Sequence, residues 1–212
     1  MEVPALLRLM GNLSLGNDNI TEVEEAIFLQ YLNLAHFELY QITANLNQDL
    51  LRQETRSNHE NENWVTLPDV PYLVNNVYDR THRCSLQRLS LTEAIAKDPT
   101  FIATGNPTHY FVKRNFIQFV PAQTAITSIH VWYVPQAATL IETTLEQDIP
   151  YPLTYHPVLV DGALYYLFQE EGGFKNLQKA QDAQSRWEIG KTGLLAYLYN
   201  SSGVSFSTFS NV

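Results

Sequence analysis

Two apolar stripes at helical spacing, one near each end of the chain, constrain this sequence most, because neither can be buried alone. Residues 21–40 read TEVEEAIFLQYLNLAHFELY. Thr21 and Glu24 occupy capping-box positions, and Glu22, Glu24 and Glu25 sit where the positive end of a helix dipole favours carboxylates. Ile27, Tyr31, Leu34 and Phe37 then recur at three- and four-residue steps, with Ala35 and Leu39 beside them. The spacing predicts a long helix that fades near residues 45–47. The second stripe follows residue 156. Pro157 suits a first helical turn, and Val158, Leu159, Ala163, Leu164, Leu167 and Phe168 lead to a stop at Gly172-Gly173. A last helix opens at Phe174 and carries Leu177, Ala180, Ala183 or Gln184, Trp187, Leu194 and Leu198. Gly190 and Gly193 are expected to weaken its middle by about 1 kcal/mol each relative to alanine. Ahead of these, Pro4–Met10 reads as a short helix stopped at Gly11, followed by a Gly/Asn loop over 11–20.

Between the stripes the texture is β. Residues 52–63 (RQETRSNHENEN) are polar without periodicity and read as a surface loop. Trp64–Leu67, Tyr72–Asp79 and Arg83–Leu91 read as strands, and residues 92–98 as a helical turn. His109–Val112 and Phe116–Val120 flank Lys113-Arg114-Asn115, which predicts a hairpin. Ile126–Val134 adds a strand with Ile129, Val131 and Tyr133 on one face and His130 and Trp132 on the other. Pro121 and Pro135 end their strands, since proline cannot donate to a ladder. Residues 136–153 form a connector carrying Glu142, Glu146 and Asp148. The economical solution is an α+β fold: a helical bundle from the N- and C-terminal helices with an inserted antiparallel β lobe. Residues 1–51 and 152–199 supply the bundle, 64–135 the lobe, and 200–212 an extended tail marked by Phe206 and Phe209.

Composition narrows the function classes. With 212 residues, 45% of them hydrophobic, the chain can bury a sizeable core. Only 17% are charged and twelve are tyrosine, a balance suited equally to a surface that faces other protein and to an ordinary globular domain with a wet, Tyr/Asn-rich surface. The net charge of −9 makes static binding of nucleic acid unfavourable, because the chain repels phosphate. A single cysteine, Cys84, allows neither an internal disulfide nor a cysteine zinc site, and fits a reducing compartment. The start MEVPALLRLM does not read as a signal peptide, and no run of 18 apolar residues is present to span a membrane.

Catalytic motifs are missing: there is no G-x-S-x-G, no phosphate-binding G-x-x-x-x-G-K, no G-x-G-x-x-G and no H-E-x-x-H. The six histidines are spread singly. His130 with Asp161 and a serine would make a triad only if geometry brought them together. Cys84, with Arg83 and Arg88 nearby in sequence, is a candidate nucleophile, although a packed small residue is the simpler reading. Arg80, His82, Arg83 and Arg88 form the one local basic run, fit for a phosphate, an acidic neighbour or plain solvent. Lys113 and Arg114 at the hairpin tip are candidates for docking a partner. Val131-Trp132-Tyr133 reads as core, with an aromatic platform for sugars or bases as the alternative. The chain is expected to be non-enzymatic, without cofactor or metal.

The order of these segments resembles the head–tail connector (adaptor) proteins of tailed bacteriophages, including the upper tail-tube adaptors of short-tailed phages. The resemblance runs over about residues 21–199. It starts with the acidic-capped helix at Thr21 and Trp64-Val65-Thr66-Leu67-Pro68 after a polar linker. Gly105-Asn106-Pro107 then precedes the aromatic hairpin, whose second strand FIQFVP and the following HVWYVP both end in proline. Pro152-x-x-x-His156-Pro157 opens a Tyr/Leu/Ala helix, and a final helix carries Lys175, Lys179, Ala180 and Trp187. The loop 52–63 is longer than the pattern requires, and the tail 200–212 has no counterpart in it. The resemblance implies a virion protein of the neck, assembled in the host cytoplasm. It implies a homo-oligomeric ring, commonly a dodecamer, bound to the portal and to tail proteins (tube, nozzle or tail-terminator). DNA would pass its lumen without specific binding. Phe206, Phe209, Lys113 and Arg114 are the expected docking residues. A fibre-attachment or carbohydrate-binding module using Trp132, Tyr133 and Trp64 is the alternative.

Overall fold

The computed structural model describes residues 1–16, 20–59, 62–122, 126–170 and 173–201. The fold is α+β, with N- and C-terminal helices flanking a β region. The chain divides into two compact units, one of Met1–Gln48 with Ala137–Val212, the other of Asp49–Gln136.

The helical unit holds α1 (Val3–Leu15), α2 (Glu22–Thr43), α4 (His156–Gln169) and α5 (Leu177–Ser201). Thr21 caps α2 as the sequence indicates: its hydroxyl accepts from the Glu24 amide at 3.3 Å while the Glu24 carboxylate accepts from the Thr21 amide at 2.8 Å. Helix α1 runs past the expected stop at Gly11. Gly11 is buried with Val3, Leu6, Leu7 and Met10 on one i, i+3, i+4 stripe, so it fills a core position and no turn is needed there. The turn comes at Gly16, which takes a left-handed φ of 69° and donates its amide to the Asn12 carbonyl at 3.0 Å. Helix α5 buries Ala180, Ala183, Trp187, Leu194 and Leu198, with Ala183 rather than Gln184 in the core. Helix α4 ends at Gln169, and Gly172 of the expected stop lies outside the described residues.

Helix α4 is the centre of this unit, packing against α1, α2 and α5. The approach is close because Gly162 has no side chain. A Cβ there would meet Trp187 Cε3 at 2.8 Å and Ala35 Cβ at 2.9 Å. Gly190 plays the matching part on α5, where a Cβ would meet Val158 Cγ2 at 2.6 Å. Gly190, expected only to weaken α5, is therefore what lets α5 lie against α4. Beside the crossing, Glu38 of α2 accepts hydrogen bonds from the Tyr166 hydroxyl and from Lys191 Nζ, the latter at 2.9 Å, and Lys191 lies 5.0 Å over the Trp187 ring.

The buried face of α2 keeps Tyr31, Ala35 and Leu39 of the stripe its spacing suggests, with Ile27 packed against the core, but it is wider and leaves out Leu34. Phe28, Leu32, Ala35 and Leu39 are buried, Leu34 is exposed, and polar Asn33 and His36 are buried too. The reason lies in residues 138–151, which cross this flank. Asn33 Nδ2 donates to the Leu140 carbonyl at 3.0 Å and Asn33 Oδ1 accepts from the Leu140 amide at 2.7 Å. Asn47 Nδ2 donates to the Pro150 carbonyl at 2.7 Å. His36 Nε2 lies 3.1 Å from the Ala138 carbonyl. That oxygen can only accept, so Nε2 carries the proton and Nδ1 faces the Tyr151 hydroxyl at 3.3 Å. Burial holds the His36 pKa down at about 4, against the opposing pull of the Ala138 carbonyl.

The β unit is built from two four-stranded sheets. The first has the order β1 (Arg52–Ser57), β8 (Ser128–Pro135), β3 (Pro71–Asp79), β4 (Cys84–Ser85). The second has the order β2 (Trp64–Thr66), β7 (Phe116–Val120), β6 (His109–Lys113), β5 (Gln87–Arg88). Pairing is antiparallel except between β5 and β6, so the lobe expected to be antiparallel is mixed. Val74, Val77, Ile129, Val131 and Tyr133 of the first sheet meet Val65, Tyr110, Ile117 and Phe119 of the second in one core. Arg52–Ser57, read from sequence as a loop, is a strand paired with β8 at all six positions. As an edge strand it leaves most side chains in water, so it carries no apolar alternation to betray it. The hairpin turn is Arg114-Asn115 alone, because Lys113 already pairs with Phe116. β8 does not extend that hairpin; it lies in the middle of the other sheet. The helical turn over 92–98 is α3 (Leu91–Lys97), capped by Ser90 and Glu93.

Two measurements check this account of the helical unit. Gly162→Ala adds a Cβ with nowhere to go, and overpacking outweighs the gain in helix propensity, so stability falls by about 1–2 kcal/mol in urea unfolding. Gly193→Ala is the control: its Cβ would lie an ordinary 3.6 Å from Tyr155, and it raises stability by about 0.5–1 kcal/mol. His36 titrates at an ordinary pKa when unfolded and at about 4 when folded, so its contribution is present above pH 6.5 and is lost as pH falls toward 4. Over that window the loss amounts to about 3 kcal/mol, read as a drop in the urea midpoint that His36→Gln removes.

Candidate assembly surfaces

The register of the second sheet decides which of its side chains face outward. Trp64 pairs with Gln118, Thr66 with Phe116, and Lys113 with Phe116, so all five share one face. This is the face opposite the core, which takes Val65, Ile117 and Phe119. Phe111 and Val120 also point outward, but α3 and Phe101 cover them: Ala94 joins their cluster, and the Phe101 and Phe111 rings lie 5.3 Å apart. The other half is open. Trp64 is 39% exposed and Phe116 38%, with Lys113 at its edge and Arg114 at the tip. Arg114 holds a left-handed φ of 55°, which the two-residue turn requires. Among the described residues, neither Lys113 nor Arg114 joins an ion pair.

The basic run of residues 80–88 takes a different shape. Arg80–Arg83 is the tight turn from β3 to β4, folded around buried Asp79. Asp79 Oδ1 accepts from the Thr81 and His82 amides at 2.8 and 3.1 Å, and Oδ2 meets His82 Nδ1 at 2.7 Å. Arg83 takes φ 57°. Arg80, His82 and Arg83 are exposed together, while Arg88 is on β5, paired with Tyr110.

Several candidates from the sequence do not converge. Trp132 and His130 share the outer face of the first sheet with Thr55 and Tyr78, whereas Tyr133 is fully buried beneath them and Trp64 belongs to the other sheet. Those three aromatics therefore make no common platform. His130 belongs to the β unit and meets Thr55 Oγ1 at 2.9 Å; Asp161 belongs to the helical unit and accepts from Arg186 Nε at 2.6 Å. Cys84 is half-buried against the β core. Among the described residues no group of three or more His, Cys, Asp or Glu is placed to hold a metal. A cleft of about 340 Å³ opens between α2 and the end of α4, but among the described residues Glu170 is its only ionisable group besides Tyr31. Phe206 and Phe209 lie outside the described residues. No helix among the described residues is long and apolar enough to cross a membrane.

Charge is divided unevenly between the units. The helical unit holds fourteen Asp and Glu against five Lys and Arg, the β unit eight against eight, so the whole excess of −9 belongs to the helical unit. Part of it stands on an exposed ridge over residues 141–148. Ile141 (55% exposed) and Leu145 (48%) project there beside Glu142, Glu146 and Asp148. The ridge is held from below by buried Leu140 and Ile149, and by the Thr144 carbonyl, which accepts from the Val3 amide at 3.5 Å. These carboxylates are legible in the sequence as part of a connector but the surface they form is not, because the hydrogen bonds that hold the ridge come from α2, a hundred residues away.

No curated protein matches the chain. The family of SU10 adaptor proteins matches it over residues 4–200, which takes in both units. The chain thus belongs to the SU10 adaptor protein family, a family of structural adaptors from tailed phages.

Proposed function

We propose that this chain is one subunit of a ring that joins the portal of a phage head to its tail. The ring is expected to hold twelve copies and to let the genome pass through its lumen. Membership of the adaptor family over residues 4–200 carries the reading. The surfaces support it: an open sheet face and an acidic ridge each set exposed apolar side chains beside charges, and a turn presents three exposed basic residues. Such a protein works through outer contacts. A closed ring needs two different complementary faces on each subunit, and this chain offers several. A subunit of net charge −9 repels phosphate, so a ring of such subunits passes DNA without gripping it. The expected setting is the virion neck, after assembly in the host cytoplasm, with portal above and tube, nozzle or tail-terminator protein below.

Tail residues 202–212 supply a second contact in this reading, with Phe206 and Phe209 as anchors in pockets of the portal or of the adjoining tail protein. Two outcomes test these statements. Purified chain mixed with portal rings forms a stacked ring visible by negative-stain imaging; a chain that binds neither portal nor portal–tail complexes is no adaptor. Deleting residues 202–212 weakens binding to portal or tail protein at least tenfold, about 1.4 kcal/mol, in a sedimentation assay. Unchanged binding to both removes the tail from the interface.

A further inference from the structure

We propose that the open face of the second sheet docks the acidic ridge 141–148 of a second copy of this chain. The proposal rests on the ring reading above and names the two faces that would mate.

The two surfaces are matched in chemistry. One presents two exposed aromatic rings, Trp64 and Phe116, bordered by Lys113 and Arg114, whose charges find no carboxylate among the described residues. The other presents two exposed aliphatic side chains, Ile141 and Leu145, interleaved with Glu142 and Asp148 and with Glu146, which already pairs with the Met1 ammonium at 2.9 Å. Apolar groups at the centre of a contact with opposite charges at its rim are the ordinary anatomy of a protein interface. Both surfaces are held in shape. The sheet face is set by a five-pair hairpin register, and the ridge by the Asn33–Leu140 hydrogen bonds beneath it. The charge division explains why the occupant is another copy. Every unit of the chain's excess negative charge lies on the helical unit, and eight of its thirteen Lys and Arg lie on the β unit. Helical units of two copies thus repel, whereas the β unit, neutral overall, meets the acidic ridge without that repulsion and with the local cations Lys113 and Arg114 in front. This favours a heterologous, head-to-tail contact over a twofold one. Two cations beside two aromatics on an acidic chain make a weak phosphate site, so nucleic acid is the less suited occupant.

The test uses the full chain and charge reversal with rescue. Wild-type protein at low salt is expected to self-associate in sedimentation equilibrium. A carbodiimide, which joins amines to carboxylates in contact, is expected to link Lys113 to Glu142, Glu146 or Asp148 between chains. K113E/R114E weakens self-association at least tenfold, E142K/D148K does the same, and the quadruple variant recovers it. A chain that stays monomeric up to about 1 mM, reversals without effect, or a quadruple variant that folds but does not recover would each overturn the proposal. So would a Lys113 link confined to the monomer band, or K113E/R114E losing only affinity for duplex DNA. Binding to portal rings is followed in parallel. If K113E/R114E still forms a complete ring on the portal, this interface is wrong and the adaptor reading stands. If wild-type protein ignores the portal, the adaptor reading itself is lost.

Discussion

The helical unit depends on one close crossing. Gly162 of α4 lies where a single added carbon would come within 3 Å of both Trp187 and Ala35. That contact brings three helices from opposite ends of the chain to the same point, and it lets the largest fully buried side chain, Trp187, close the core. A packed interior tolerates neither a gap nor an extra carbon at such a place, so the positions of α2 and α5 follow from the absence of one side chain. Glu38, Tyr166 and Lys191 then hold the rim of the crossing. Burial alone would raise the Glu38 pKa, but the hydrogen bonds from Tyr166 and Lys191 and the lysine charge outweigh it and hold the carboxylate below its usual range.

With the helices in place, α2 has a flank to spare, and the chain returning from the β unit uses it. Asn33, His36 and Asn47 present side chains to backbone groups of residues 138–150, satisfying polar groups that would otherwise be buried unpaired. The consequence reaches the protein surface. A connector with no secondary structure of its own for most of its length becomes a defined surface, and its carboxylates stand at fixed places.

The β unit reaches the same end by other means. Two sheets close over one core, and register then decides which side chains are left outside. The hairpin tip puts two cations at the edge of an aromatic face, while buried Asp79 shapes a second cationic turn at the end of β3. The neutral β unit thus carries its cations in exposed groups, and the helical unit carries the acid. An assembling protein with this division has its contacts partly specified by charge before any apolar surface meets.

What the sequence determined by itself was local: the Thr21 capping box, the proline at the start of α4, the small-residue stripe of α5, and the alternation of Ile129, Val131 and Tyr133. Each follows from neighbours a few residues apart, because helix caps and side-chain periodicity are short-range physics. The order of these segments was also enough to suggest the phage adaptor family. The rest was decided by tertiary structure. Arg52–Ser57 became a strand only through β8, some seventy-five residues away, because backbone pairing asks nothing of the side-chain pattern on an exposed edge. Gly11 and Gly190 looked like interruptions and proved to be core and contact positions, since the use of a missing side chain is set by what lies opposite it. Leu34 came out exposed and His36 buried for the same reason: which flank of a helix is covered depends on a segment that folds over it from far along the chain.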